Sequence, residues 1–517
     1  MKEDKYINRY KTFEDFGAVG DGIIDDSIAI QKALDWSKAN KSAIYMSDKL
    51  YYVTKSLQCG NAIIRSLSDT PGGADLMFLQ KYDGSYLSGT PDWSFLYNTS
   101  KRYTWRQVIN SIAYPPAIIS DKNIKILTIN KGEVFNIRGF AIIGDRNQKN
   151  QYGLYDPAPD RYYGCQQYIN NVKVLGCGNT GIHLQRGLEI TTMRDVVCRY
   201  NMGYGLFTGK NACDSATEYL RFDSCDFSYN RLSGVYFSYW RKDINFVNCQ
   251  FSGNGQYQLN QIDSVLGYDR RLPSRLSEVH AGVWLDNGNI EADNTSFGFS
   301  MIDCYGENCL LGLHMTNTAG RGVTNSVELK NNIFYRGDAP KPNAYNGSCF
   351  YVDTNYISKW LIKGNYGHAL DVAVFKKTPI DGGHNEIHDI DLFGGTTDRL
   401  YTDTTLFKDI LGDGSYLSRH EISKDFTLTV PSGYSNQTAC YSLTAHWQSH
   451  NSDAFSGYIL MVTTMPSGHY KMLAIASDNT SGFSSKPTIS SNGILTIPSV
   501  QYYRYTLQRI DLTKTIY

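Results

Sequence analysis

One six-residue pattern recurs along the middle of the chain and limits its folding more than any other feature. It reads apolar, any residue, small polar or glycine, apolar, any residue, apolar or small. It occurs at Ile137–Ile142, Ile169–Val174, Met193–Cys198, Phe222–Phe227, Phe246–Phe251, Met301–Gly306, Leu329–Phe334, Ile362–Gly367 and Ile387–Leu392. The third position holds Gly139, Asn171, Asp195, Ser224, Asn248, Asp303, Asn331, Gly364 and Asp389. Such residues tolerate a sharp corner between two short strands. Asn171 to Asp195 and Ser224 to Asn248 are each 24 residues apart, whereas Asn248 to Asp303 is 55. A unit of this size cannot bury an apolar face alone, so it must stack on copies of itself. The spacing predicts rungs of a parallel β-helix, with an insertion over 256–280. Cys225, Cys249 and Cys304 then share one inward column.

A second strand opens on glycine in most rungs. It reads Gly181-Ile182-His183-Leu184, Gly205-Leu206-Phe207, Gly234-Val235-Tyr236-Phe237, Gly282-Val283-Trp284-Leu285 and Gly312-Leu313-His314-Met315. Strand side chains alternate faces. With the aliphatic residues inward, His183, Phe207, Tyr236, Trp284 and His314 form an outward column. Exposed aromatic surface adds nothing to a core, so the column is read as a candidate sugar-binding face or as a surface covered by loops or a neighbouring subunit.

A repeat also accommodates 517 residues, too many for one ordinary compact domain. Lys+Arg and Asp+Glu are both 50, and this neutral balance argues against nucleic-acid binding. No apolar run approaches the roughly 20 residues of a membrane helix, and Met1–Tyr6 has no signal-peptide core. Eleven cysteines without a CxxC pair read as buried thiols.

Near the N-terminus the chain reads Asp15-Phe16-Gly17-Ala18-Val19-Gly20-Asp21-Gly22-Ile23-Ile24-Asp25-Asp26, followed by an amphipathic stretch through Leu34. Asp25 or Asp26 is the expected N-cap, and Ala29, Ile30, Ala33 and Leu34 the buried stripe. Asp21, Asp25 and Asp26 are read as turn and cap residues rather than metal ligands. This string resembles the opening of the pectate-lyase-like right-handed β-helix superfamily, as in phage tailspike depolymerases. The resemblance implies an all-β chain: a right-handed parallel β-helix with a short N-terminal capping helix and a C-terminal antiparallel β-sandwich. The expected boundaries are an arm at 1–12, a strand–helix cap at 13–60, the β-helix at 61–395, a linker or final cap at 396–420, and the sandwich at 421–517. In tailspikes such a sandwich trimerises the chain or binds carbohydrate.

The resemblance further implies a homotrimer in the phage virion that cuts bacterial capsular polysaccharide or exopolysaccharide at the cell surface, attached to other tail proteins through the arm. No membrane or nucleic-acid partner is expected, and no cofactor or metal. Glycoside cleavage uses two carboxylates flanking the bond. Asp286 leads, two residues after Trp284 on the same face; Glu291 follows in the next loop. Asp353 is expected two rungs along the same column, and Asp226 and Glu307 lie beside corner turns. Tyr236, Tyr239, Trp240 and Arg241 make the densest aromatic–cation patch and join Trp284, His314, His183 and Phe207 as candidate sugar-binding residues. Endo-glycosidase is the leading reading. A lyase cleaving a uronate by β-elimination, with Tyr or His as base, and a non-catalytic glycan-binding adhesin are the alternatives.

Overall fold

The computed structural model describes residues 10–74, 109, 113–130, 132–157, 166–185, 188–209, 217–238, 240–255, 280–286, 295–307, 311–316, 323–324 and 327–335, and beyond these the strands from Ser348–Asp353 to Val500–Ile510 with Asn365 and 485–491. The first nine residues of the arm, the insertion 256–279, and the segment 394–415 lie outside them. The chain divides into two units, Met1–Asp286 and Asn287–Tyr517.

In the first unit the rungs contribute strands to three parallel sheets, although the rungs of Thr217–Asp223 and Trp240–Val247 reach the third only through isolated bridges at Asp226 and Gln250. One rung runs Asn136–Arg138, then Ala141–Ile143, then Tyr152–Asp156. The first sheet stacks Asn136–Arg138, Tyr168–Asn170, Glu189–Arg194, Thr217–Asp223 and Trp240–Val247. The second stacks Tyr152–Asp156, Ile182–Leu184, Leu206–Thr208, Val235–Phe237 and Val283–Asp286. The third stacks Ala117–Ile119, Ala141–Ile143, Lys173–Leu175 and Val197–Arg199. This parallel β-helix is the winding that the corner pattern predicts. Every described corner residue has positive φ: Gly139 at 85°, Asn171 at 50°, Asp195 at 54°, Ser224 at 54°, Asn248 at 53°, Asp303 at 54° and Asn331 at 53°. Gly, Asn and Asp enter that conformation at the lowest steric cost, which explains their recurrence at one sequence position.

Between the sheets the core is aliphatic and aromatic. Ile137, Ile169, Met193, Phe222 and Phe246 point inward, and Phe222 stacks on Phe246 at 4.6 Å. Cys225 and Cys249 are buried beside them as free thiols. An asparagine ladder runs parallel to this core: Asn201 Nδ2 donates to Asn230 Oδ1 at 2.9 Å, and Asn230 Nδ2 donates to Asn254 Oδ1 at 3.1 Å. The same oxygens accept the backbone N–H groups of Asn201 and Asn230, satisfying corner amides that the sheets leave unpaired. The third sheet is buried on both faces at Ala117–Ile119 and Ala141–Ile143. Ala117, Ile119, Ala141, Ile143 and Leu175 pack outward against Ala74, Ile109 and Tyr200. Ala117–Ile119 and Ala141–Ile143 therefore read as continuous apolar runs, and the outer face is closed to ligands over those strands.

The helix Ser27–Asn40 buries Ile30, Ala33 and Leu34. Asp26 sits at its N-cap but spends its carboxylate on the Val19 and Gly20 N–H groups, at 2.6 and 3.0 Å; Asp25 takes the Ser27 N–H at 3.0 Å. Asp21 accepts from Ile23 and Ile24, both at 2.8 Å. All three acids thus hold backbone turns.

In the second unit, parallel stacking continues through Thr295–Ile302, Val327–Lys330, Trp360–Lys363 and Asn385–His388. Pairing becomes antiparallel from Tyr416–Ile422 onward, through Val500–Ile510, Thr438–Trp447, Phe455–Thr464 and Tyr470–Ala476. A separate antiparallel sheet joins Phe426–Thr429, Ile494–Ile497 and Thr488–Ile489.

Candidate functional site

The outer face of the second sheet carries a continuous aromatic column. Strand register aligns Tyr155, His183, Phe207, Tyr236 and Trp284 on successive rungs. All are half-buried, because Leu154, Ile182, Leu206, Val235 and Val283 take the inward positions of the same strands. Ring centroids are 5.1 Å apart from Tyr155 to His183, 4.6 Å from His183 to Phe207, 5.7 Å from Phe207 to Tyr236, and 5.0 Å from Tyr236 to Trp284.

The two ends of this column differ. His183 lies between Tyr155 and Phe207 with interplanar angles of 26° and 16°, so its ring faces are covered by its neighbours. Strands about 4.8 Å apart bring equivalent rings into stacking range. This corrects the expectation that His183 and Phe207 offer their faces to sugars: His183 is covered on both sides and Phe207 on the His183 side. Toward Trp284 the rings tilt, by 52° between Tyr236 and Trp284 and 66° between His280 and Trp284. Tyr204 stacks on Tyr236 at 4.9 Å.

Asp286 stands at this tilted end. Tyr236 donates its phenolic hydrogen to Asp286 Oδ2 at 3.2 Å. Asp286 is only 9% exposed, so its charge acts in a partly dry setting. Burial, then the Asp286 charge, push the Tyr204 phenol up to about 12; the same causes, with Tyr204 beside it, push Tyr236 higher still. Both phenols are therefore neutral donors at neutral pH. Burial lowers His183 to about 4, with Lys125 adding to the effect against a hydrogen bond to Gln185. Burial, then Arg231, lowers His280 to about 4. Both imidazoles are neutral at pH 7. His280 Nδ1 lies 3.3 Å from Ser233 Oγ, which anchors the ring.

These histidines make stability depend on pH with a definite sign. Their folded pKa values lie below the unfolded value, so the unfolded chain binds protons first as pH falls. Stability should be unaffected above about pH 6.5 and should fall toward pH 4, by on the order of 1–3 kcal/mol per ring. Urea unfolding across that range measures it. His183→Phe should flatten the slope relative to the unaltered chain, and an unchanged slope would contradict burial of a neutral ring.

The remaining sequence candidates are on other sheets of the first unit, in the second unit, or outside the described residues. Asp226 bridges strands on the third sheet and forms an ion pair with Arg199, so it serves that face and not the column. Glu307, on Tyr305–Glu307, accepts from the Tyr305 hydroxyl at 3.1 Å, on a different strand from His314. His314 is fully buried on Leu311–Thr316, which corrects its placement as an outward ligand. Trp240 is 1% exposed and belongs to the core. The chain crosses from the second sheet to the first between Phe237 and Trp240, and Trp240 shares the inward parity of Ile244 and Phe246. The apparent aromatic–cation patch is thus split between two sheets. Asp353 pairs with Thr316 in strand register, and Arg241 lies on Trp240–Val247; their side chains are outside the described set, as are Tyr239 and Glu291 altogether.

Tyr155 of the column and three rings beside it, Tyr152, Tyr204 and His280, are additions to the residues singled out from the sequence. Tyr204 and His280 stand one and two residues before the strand-opening Gly205 and Gly282, a position that alternation within the strands does not reach. Tyr155 does carry the signal: Gly153-Leu154-Tyr155 repeats the glycine-led pattern and pairs in register with Gly181-Ile182-His183.

Residues 12–255 match the model of the family described as rhamnogalacturonase A/epimerase, pectate lyase-like. No curated protein matches the sequence. Among solved structures, the tailspike protein of Acinetobacter phage vB_ApiP_P1 is 10% identical, covering 98% of this chain and 88% of that one, with a TM-score of 0.42. Tailspike gp49 of Acinetobacter baumannii bacteriophage Fri1, a capsular polysaccharide depolymerase, is 10% identical over 97% and 86%, with a TM-score of 0.32. The A-module of the Azotobacter vinelandii mannuronan C-5 epimerase AlgE6 is 14% identical over 72% and 99%, with a TM-score of 0.37. At these scores the winding rests on the strand registers and not on the likenesses.

Proposed function

We propose that this chain is a tailspike-type depolymerase that cuts bacterial capsular polysaccharide within the glycan chain, using the outer face of the second sheet. The observation that carries the reading is Asp286 held by the Tyr236 hydroxyl at the tilted end of an aromatic column. Trp284, Tyr204 and His280 supply ring surface and neutral polar edges for a sugar, and Asp286 supplies the carboxylate. A phenol that donates to a carboxylate favours its charged form. Asp286, oriented by the Tyr236 hydroxyl, is proposed as the carboxylate that activates water.

The raised phenols weigh against the lyase alternative. A tyrosine that abstracts a proton must first lose its own, and desolvation beside Asp286 makes that harder for both Tyr204 and Tyr236. A homotrimer in the virion, attached through the N-terminal arm, belongs to the same proposal.

The test is incubation of the purified protein with a panel of capsular polysaccharides. Rising reducing ends without ultraviolet absorbance of an unsaturated uronate is the expected result. Both signals together assign a lyase. Neither signal, with binding retained, assigns an adhesin and overturns the enzymatic reading.

A further inference from the structure

The first sheet, which the proposed chemistry does not use, carries a cleft of about 540 Å³ across three successive strands. Its floor is the outward column Arg138, Asn170 and Arg194, aligned by strand register. Tyr168, 44% exposed, and Thr192 line it toward the N-terminal ends of the strands. Ile190, 64% exposed, forms its lip.

That lip is strained. Ile190 has φ of 43°, in the left-handed region that a β-branched side chain enters only at considerable cost. Register places Tyr219 and Asp243 at the same position on the next two rungs, with φ of 56° and 46°. Tyr219 is 44% exposed. Three rungs thus repeat one unfavourable backbone state, and on two of them it projects a large side chain into solvent. Neither the strain nor the exposure strengthens the core.

The charges facing this cleft are largely matched. Arg138 forms two hydrogen bonds to Asp69, at 2.8 and 2.5 Å. Arg194 lies 3.4 Å from Asp223, which also faces Arg221 at 3.9 Å. Asp195 adds a further carboxylate at the cleft edge. Amides, hydroxyls and charge-matched guanidinium groups around a tyrosine suit a ligand rich in hydroxyls better than a polyanion. The volume lies in the small-ligand range, and the polar lining is unlike the apolar centre of a subunit interface.

We infer that the outer face of the first sheet holds a second, non-catalytic binding site for an uncharged stretch of oligosaccharide, between Tyr168, Arg194 and the Ile190 lip. The site is separate from Asp286 and does not depend on cleavage there.

The test measures retention of full-length protein on immobilised capsular polysaccharides, neutral and uronate-bearing, with Asp286→Asn in every sample to prevent cutting. Retention on at least one neutral polysaccharide should survive Trp284→Ala and should weaken at least about tenfold in Tyr168→Ala/Arg194→Ala. Ile190→Gly should weaken retention while raising the thermal midpoint, because it removes both the lip and the strain. A lost lip with a lowered midpoint would contradict the strain argument. Four outcomes overturn the site: no retention on any polymer, loss in Trp284→Ala alone, retention confined to uronate polymers, or a changed molar mass of Tyr168→Ala/Arg194→Ala in light scattering. The last would assign the face to contact between copies of the chain. None of these readouts measures cleavage, so failure here and failure of the proposed chemistry are distinguishable.

Discussion

Asp286→Asn is expected to lower polysaccharide cleavage by about 100- to 10,000-fold, the range spanned by loss of a positioned acid–base group. The substitution keeps the shape of the side chain and leaves an oxygen that can still accept the Tyr236 hydrogen. It removes the charge that takes up a proton from water. Thermal stability should therefore change little while turnover collapses. Tyr236→Phe should cost less, since it loses the hydrogen bond that holds the carboxylate but not the carboxylate itself. Activity of Asp286→Asn within a few-fold of the unaltered protein would remove Asp286 from the chemistry. Lost activity with a much lowered thermal midpoint would show only misfolding, and Tyr236→Phe then provides the independent reading.

Trp240→Ala is expected to lower folding stability by about 3–5 kcal/mol, as for other large aromatic side chains deleted from a packed core. Trp240 is 1% exposed and begins the strand that carries the inward Ile244 and Phe246. Chemical unfolding should show the loss, and glycan binding by the fraction that remains folded should be unchanged. If binding is lost while stability holds, Trp240 is a sugar ligand after all. The opposite result is expected at Trp284, where half-burial on the outer face makes substitution a matter of binding more than of stability.

The contrast between these two tryptophans shows how far the sequence could be read. Trp284 lies within a regular alternation that opens on Gly282, so its face followed from counting. Trp240 follows a corner, and the count restarts on a new sheet there. Residues 236–243 looked like one aromatic–cation patch because they are contiguous in the chain, whereas the winding sends Tyr236 outward on the second sheet and Trp240 inward on the first. His314 shows a related limit: it occupies the outward position of its pattern, yet its surroundings bury it completely. Alternation reports the direction of a side chain and not what covers it.

The asparagine ladder and the stacking of His183 between Tyr155 and Phe207 were hidden for another reason. Each depends on contacts between residues about 24 or more positions apart, and their distances are set only when rungs settle into register.

From the sequence alone come the stacked rungs, their corner residues, the inward cysteines at positions 225 and 249, and the outward aromatic column. All of these follow from backbone preferences at single positions and from the two-residue period of a strand, which are local properties. Only the tertiary structure decided which ring faces stay open, which acids hold turns or ion pairs, and which carboxylate meets the column. Burial and hydrogen bonding belong to surroundings assembled from distant rungs, and no local preference encodes them.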